Sequence, residues 1–198
     1  TTTPTKEAPT MSASTTSETI KSEVNSVDYS TNPTVFGKIL RNEIPVTKMY
    51  LSTPALFSFA DIYPRATLHA LVIPRRFIPS VLSLTSSSSA AATTKTKTKT
   101  NDSDSIKSSN IELIQSMHNL GLEIIKQEQP IAFSKGDYKL VFHVPPFISV
   151  GHLHLHVLAP VSEMSWWNRE VKYRIGSWWC VSDDMVMEAL RKGRRGVW

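Results

Sequence analysis

The chain has 198 residues, a net charge of +5 at pH 7 and a single cysteine. One cysteine excludes a disulfide-stapled fold and fits a reducing compartment, so we expect a cytoplasmic location, with a nuclear one also open. No stretch reaches the roughly 18 apolar residues of a membrane span, and we expect no membrane partner. The net charge is modest, so we do not expect nucleic acid as a partner. The clustered Lys and Arg residues leave weak binding to polyanions as an alternative.

Two stretches of low complexity divide the chain. Residues 1–31 are rich in Thr, Ser and charged residues and poor in large apolar ones, which predicts disorder. Residues 85–110 consist largely of Ser, Thr, Ala and alternating Lys-Thr, which predicts a disordered insert. The rest of 32–192 predicts one domain that contains this insert, and 193–198 predicts a basic tail.

The ordered part begins with a short helix. Thr34 predicts its cap, and Pro45 predicts its end. After the insert, Asn110 predicts the cap of a long amphipathic helix that Pro130 stops, with Gly121 as a close-packing position on its apolar face.

The remaining segments predict strands. Alternating or apolar runs bounded by turn residues are found at 46–52, 55–61, 67–73, 138–144 and 150–158. A further strand is predicted around 171–180, and a short helix should begin at Ser182. This order predicts an α+β fold, an antiparallel sheet with its helices segregated to one side.

A row of three histidines lies in the last of the five main predicted strands. His152, His154 and His156 alternate with apolar residues, so an extended strand would place all three imidazoles on one face. Three interpretations are open: a polar strand face, a metal site, or a nucleophilic histidine between two helpers. The outer pair would lie roughly 13 Å apart along a strand, too far to share one ion with the middle histidine. We therefore expect no metal.

The pattern HLHLHVL at 152–158 resembles the triad of the histidine triad (HIT) superfamily. The segment FGKILRNEIP at 36–45 is similar to that family's opening helix and turn. The segment FADIYPRATLHALVIP at 59–74 is similar to its nucleotide-binding hairpin. Together the resemblance covers about 33–82 and 110–192. The segments at 142–147 and 173–178 point to the Hint branch, and to a sub-branch with animal and fungal members.

This resemblance implies a fold, an activity and partners. The implied fold is a five-stranded antiparallel sheet with a long helix packed across it. Hint proteins commonly form homodimers with a continuous sheet, so we expect a homodimer. The implied activity is hydrolysis or transfer at the α-phosphorus of a purine nucleotide, with no cofactor.

The resemblance also implies roles for the histidine row. His154 would attack phosphorus and form a nucleotidyl-imidazole, which suits a nitrogen that is neutral and nucleophilic at cell pH. His156 and the backbone near Ser149 would hold the non-bridging oxygens, and Ser149 could pass a proton to a leaving amine. His152 would orient the row or bridge to His69.

The nucleotide side of the site is implied in the same way. Asp61 would accept the ribose hydroxyls, with a turn residue before Tyr63-Pro64 as the alternative, and His69 has a purely structural histidine as its alternative. His143 lies where Hint proteins usually place an Asn that holds the phosphate or leaving group, and could stand in for it. Four apolar residues would sandwich the purine, with ordinary core as their alternative: Phe36, Ile39, Phe59 and Ile62.

Three functions follow as hypotheses. The first is hydrolysis of the P–N bond of AMP-amine or aminoacyl-adenylate substrates. The second is an aprataxin-like DNA deadenylase, although residues 160–198 lack the Cys and His spacing of that protein's zinc finger. The third is a non-catalytic nucleotide-binding interaction protein. Ile148, where relatives often have Gln, disfavours a Fhit-like hydrolase of diadenosine polyphosphates.

Overall fold

The structure, a computed structural model, describes residues 31–85 and 102–194. The disorder predicted for 1–30, for most of the insert at 86–101 and for the end of the tail at 195–198 lies outside the described residues. Within the described ranges no helix is both long and apolar enough to span a membrane.

The described residues contain five α-helices and six strands. The helices are α1 Val35–Leu40, α2 Leu82–Thr85, α3 Asp102–Glu128, α4 Pro130–Lys135 and α5 Asp183–Arg191. The strands are β1 Met49–Ser52, β2 Leu56–Ala60, β3 Leu68–Pro74, β4 Lys139–His143, β5 Leu155–Ala159 and β6 Cys180–Ser182. A π-helical turn, Asn168–Lys172, precedes β6.

The strands form one antiparallel sheet in the order β1-β2-β3-β5-β4-β6. The α+β prediction is therefore confirmed, but the count of five strands is wrong. The sixth strand has only three residues and pairs with β4, Val181 opposite Phe142. Most of the strand predicted at 171–180 is instead a helical turn and a loop, because this aromatic segment lies over the sheet and does not extend it.

Helix α3 packs against one face of the sheet and closes the main core. A Cβ at Gly121 would lie 3.0 Å from a Leu140 methyl and 3.3 Å from a Val157 methyl, so the close-packing prediction for this glycine is confirmed. The surrounding helix residues are all fully buried: Ile114, Met117, Ile124 and Ile125.

The insert is shorter than predicted, because α3 begins at Asp102. Residues 102–110 are helical, and Asn110 is not a cap. Its side-chain amide donates to the Leu84 carbonyl at 3.1 Å and accepts from Arg76 at 3.1 Å. Extending an existing helix needs no new nucleus, so a polar stretch can continue it. Pro130 does follow the end of α3, but it also begins α4, which the sequence analysis missed.

The other face of the sheet carries the candidate site. Helix α1 covers one part of this face and is capped by Thr34 as predicted, but it ends at Leu40, well before Pro45. The segment between β5 and β6 covers the other part, where Met164 and Tyr173 pack on the sheet. The short helix predicted to begin at Ser182 is found as α5, and the Ser182 side chain caps it.

Candidate active site

The histidine row does not lie on one regular strand. β5 begins at Leu155, so only His156 is on a strand, and the strand predicted at 150–158 is wrong for its first part. The backbone N–H of Leu153 donates to the Ile78 carbonyl at 2.7 Å, which draws this segment out of the sheet ladder. The three imidazoles are nevertheless buried together, and the ring centroids of His154 and His156 lie 4.9 Å apart.

The hydrogen bond of His154 fixes its tautomer. Its Nδ1 lies 2.6 Å from the backbone carbonyl of His152. A carbonyl can only accept, so Nδ1 carries the proton and Nε2 keeps its lone pair. Burial lowers the pKa of His154, which keeps the ring neutral. His154 therefore offers an unprotonated ring nitrogen, the form that a nucleophile requires.

His152 is held by two partners. Its Nε2 donates to the Pro74 carbonyl at 2.9 Å, and its Nδ1 accepts from the Asn32 side-chain amide at 2.7 Å. Asn32 is 1% exposed, and its own oxygen accepts from Thr34. The orienting role predicted for His152 fits these contacts. The alternative of a bridge from His152 to His69 is wrong, because His69 bonds His156.

The imidazoles of His69, His156 and His143 form a directional chain of hydrogen bonds. The Arg65 N–H donates to His69 Nδ1 at 3.2 Å, so His69 carries its proton on Nε2 and donates to His156 Nδ1 at 2.9 Å. His156 then donates from Nε2 to His143 Nδ1 at 3.2 Å. His143 donates from Nε2 to the Lys172 carbonyl at 3.2 Å. Backbone groups at both ends thus dictate all three neutral tautomers.

Burial sets the charge of these histidines. It lowers the pKa of His69, His143 and His152 to about 4 in each case, and lowers that of His156 well below its ordinary value. The whole cluster is therefore neutral at neutral pH. A neutral cluster can accept an anionic phosphoryl group and keeps its nucleophile free of a proton.

Asp61 lies at the hairpin end of this chain. One of its carboxylate oxygens accepts from the Tyr63 N–H at 2.8 Å, which is a turn contact, and the other lies 3.4 Å from His69 Nε2. Ligand atoms of Asp61, His69 and His156 all lie within 4.8 Å of one another, close enough to share a metal ion. That the site works without metal stays a prediction.

A cavity of about 530 Å³ opens beside the imidazole chain. The sheet and its loops contribute Asp61, His143, Ser149 and His156 to its lining. The segment before β6 contributes Trp167, Lys172, Tyr173, Trp178 and Trp179. No role was predicted from the sequence for Asn32, Lys172, Tyr173 or Trp178. The similarity of 173–178 to one Hint sub-branch, and the place of Trp167 after the triad, were the signals for this second set.

The four residues predicted to sandwich the purine do not line this cavity. Phe36 and Phe59 are buried, with ring centroids 5.5 Å apart, and Ile39 packs at their edge. Ile62 is 74% exposed on the hairpin turn. The ring of Phe36 also meets His154 edge-on at 5.4 Å. Their purine-binding role stays a prediction.

Comparison with known proteins identifies the family. A domain profile described as "Scavenger mRNA decapping enzyme C-term binding" matches residues 33–94 and 94–172. The mouse adenosine 5′-monophosphoramidase HINT3 is 33% identical over 159 residues, which is 80% of this chain and 81% of that protein. The Arabidopsis thaliana protein HINT4, a bifunctional adenosine 5′-phosphosulfate phosphorylase/adenylylsulfatase, is 31% identical over 71% of this chain and 77% of its own length.

Among solved structures, a HIT family hydrolase from Legionella pneumophila is 28% identical, covers 67% of this chain and 96% of that chain, and has a TM-score of 0.48. The domain profile and the sequence relatives decide the assignment. The chain belongs to the histidine triad superfamily of nucleotide-binding hydrolases, as its motifs predicted.

Proposed function

We propose that this protein is an adenosine 5′-monophosphoramidase-type hydrolase, which cleaves the P–N bond of AMP-amine or aminoacyl-adenylate substrates. The observation that carries the proposal is the tautomer of His154, whose Nε2 lone pair is left free by the bond from Nδ1 to the His152 carbonyl. The mouse relative is named for this activity, which supports the choice of substrate.

The reaction proceeds in two displacements. His154 Nε2 attacks the α-phosphorus and the P–N bond breaks, so the amine leaves with the bonding electron pair and gains a proton. Ser149, which lines the cavity, passes that proton and regains one from the water of the second displacement. Water then attacks the nucleotidyl-histidine, which releases AMP and restores the free imidazole. Phosphoryl chemistry of this kind asks the protein mainly for alignment and charge stabilisation, which the fixed imidazoles and Lys172 supply.

Turnover of a fluorogenic AMP-amine in EDTA tests the proposal. The wild-type protein should turn over, while His154→Ala should lose more than about nine-tenths of the activity and keep AMP binding within a few-fold, because ground-state binding does not need the nucleophile. His118→Asn is the matched control, because it changes a histidine outside the site. The side-chain amide of the new Asn can donate to Asp183 in place of His118 Nδ1. If His154→Ala retains its activity, another histidine must be the nucleophile.

The same assay separates the other hypotheses. A preference of several orders for adenylated nicked DNA would favour the deadenylase. AMP binding without any turnover would favour an interaction protein. A preference for adenosine 5′-phosphosulfate would follow the Arabidopsis relative's named activity. Purine specificity, homodimer formation and a cytoplasmic or nuclear location remain part of the proposal.

A further inference from the structure

We propose that Tyr173 is a further substrate-binding residue, whose hydroxyl donates a hydrogen bond to a phosphoryl oxygen of the nucleotide in the cavity beside His143 and His156. The inference rests on the proposed function in so far as the ligand is a nucleotide. It adds a residue from the segment between β5 and β6, which the triad and hairpin motifs do not include.

The first observation is an unpartnered polar group. Tyr173 is 1% exposed, yet its hydroxyl makes no hydrogen bond with any residue in the described part of the chain. Buried hydroxyl groups are almost always partnered, because desolvation without a hydrogen bond is unfavourable. If this side chain only filled space, phenylalanine would pack equally well at this position.

The second observation is that Tyr173 lines the cavity. The Tyr173 ring packs against the imidazoles of His143 and His156, with centroids 5.1 and 5.5 Å away. Asp61 and Arg65 line the cavity together with Tyr173. The buried Tyr173 side chain therefore forms part of the cavity wall beside the imidazole cluster, where its unpartnered hydroxyl can meet a ligand.

The third observation is that the residue is held in place before any ligand binds. The Tyr173 N–H donates to the Asn168 carbonyl at 2.9 Å. The Lys139 ammonium, on β4 beneath the segment, donates to the Tyr173 carbonyl at 3.1 Å and to the Arg169 carbonyl at 2.8 Å. A donor fixed in this way loses little freedom when it meets its ligand.

The charges around the hydroxyl select an anion as its partner. Arg65 and Lys172 line the same cavity, and Ser149 can donate from its hydroxyl. Asp61 is the one carboxylate among the cavity residues. Burial raises the pKa of the Tyr173 phenol, so the group remains a donor throughout the working pH range. Two cations and neutral donors fit phosphoryl oxygens better than the uncharged nucleoside.

The test is Tyr173→Phe in the full chain, which keeps the ring and removes only the hydroxyl. Calorimetric titration should show AMP binding weakened by roughly ten- to a hundredfold, as expected for a lost hydrogen bond to a charged group. Adenosine binding should stay within about twofold of wild type, since adenosine has no phosphoryl group. Tyr138→Phe is the matched control, because Tyr138 stacks on Phe133, at 6.2 Å, away from the cavity.

Unchanged AMP affinity in Tyr173→Phe, or an equal loss for AMP and adenosine, would overturn the role. A second measurement uses the wild-type protein, so that the proposal can be tested even if Tyr173→Phe does not fold. The chain has five tyrosines, and in wild-type protein labelled at the tyrosine Cζ, AMP but not adenosine should shift the Tyr173 signal. That signal can be assigned by exclusion through substitution of the other four, and a signal indifferent to AMP would overturn the proposal. If the wild-type protein binds no AMP, the proposed function itself is contradicted. If AMP binds and Tyr173→Phe leaves the affinity unchanged, only this inference is contradicted.

Discussion

Single hydrogen bonds to backbone carbonyls decide which imidazole nitrogen in this site is free to react. The carbonyls of His152, Pro74 and Lys172 each take a ring N–H from the cluster. Because a carbonyl cannot donate, each contact dictates a tautomer. The side chain of Asn32 adds the one amide donor to the row, at His152 Nδ1.

Replacing Asn32 with Asp should change the charge of His152. A carboxylate at this position can only accept, and an imidazolium can donate to it and to the Pro74 carbonyl together. The pKa of His152, about 4 in the wild type, should therefore rise. An NMR titration of His152 measures this, with the exposed Asn119→Asp as control. A pKa that stays near 4 would contradict the hydrogen bond between Asn32 and His152.

Asp61→Ala should lower kcat/KM for ribonucleotide substrates and change it little for their 2′-deoxy analogues. Loss of a charge-assisted hydrogen bond predicts a drop in kcat/KM of roughly ten- to a hundredfold. Asp61→Asn is the companion variant, because it keeps an oxygen for the turn contact with the Tyr63 N–H while removing the charge. An equal loss on both substrates in both variants would leave Asp61 with only its turn role.

At the scale of elements, local signals predicted what local physics determines. Thr34 and Ser182 cap their helices as expected, because a hydroxyl that accepts from the first turn needs only its own neighbours. Strands β2, β3 and β4 lie within a residue or two of their predicted bounds. Gly121 marks a close helix–sheet approach, as its place on the apolar face of α3 predicted.

The errors arise where distant partners decide the structure. β5 starts late because Leu153 bonds the carbonyl of Ile78, far away in the sequence. β6 exists because β4 offers an open edge to three residues that carry little signal of their own. The candidate site follows the same division: its histidines and Asp61 were predicted from motifs, while Asn32 and Tyr173 join it only through the tertiary fold.

Gly121→Val tests the packing of α3 on the sheet. A side chain here would press on Leu140 and Val157, and overpacking of a filled core typically costs about 1–3 kcal/mol. Urea unfolding should show that loss in the free energy of unfolding, while Asn119→Val on the exposed face of the same helix should change it little. Equal effects of the two variants would mean that the helix does not approach the sheet this closely.

On the scale of the whole molecule, the segment between β5 and β6 forms one wall of the candidate site. It lies across the sheet face opposite α3 and supplies six residues to the cavity lining: Trp167, Val171, Lys172, Tyr173, Trp178 and Trp179. The edge strands of the sheet are β1 and β6. A homodimer with a continuous sheet, which remains a prediction, would have to pair through one of these edges.

The buried neutral histidines predict a pH dependence of folding. The pKa of His143 and of His152 is lowered from 6.5 to about 4, so the unfolded chain binds more protons than the folded one between those pH values. The contribution of these histidines to the free energy of unfolding should therefore be complete above about pH 6.5. The free energy of unfolding should fall as the pH drops towards 4, by up to about 1.4 kcal/mol per pH unit for each histidine. Urea unfolding at pH 7, 5.5 and 4.5 measures the slope. Stability that stays flat or rises on acidification would contradict the buried, neutral cluster.

The stereochemistry of hydrolysis tests the nucleophilic role of His154 most directly. An AMP-amine phosphorothioate of defined chirality, hydrolysed in isotopically labelled water, reports how many displacements occur at phosphorus. Attack by His154 followed by attack by water gives two inversions, so we expect net retention of configuration, and less than about a tenth of the wild-type hydrolysis with His154→Ala. Net inversion would mean that water attacks phosphorus directly and would contradict a nucleotidyl-histidine intermediate.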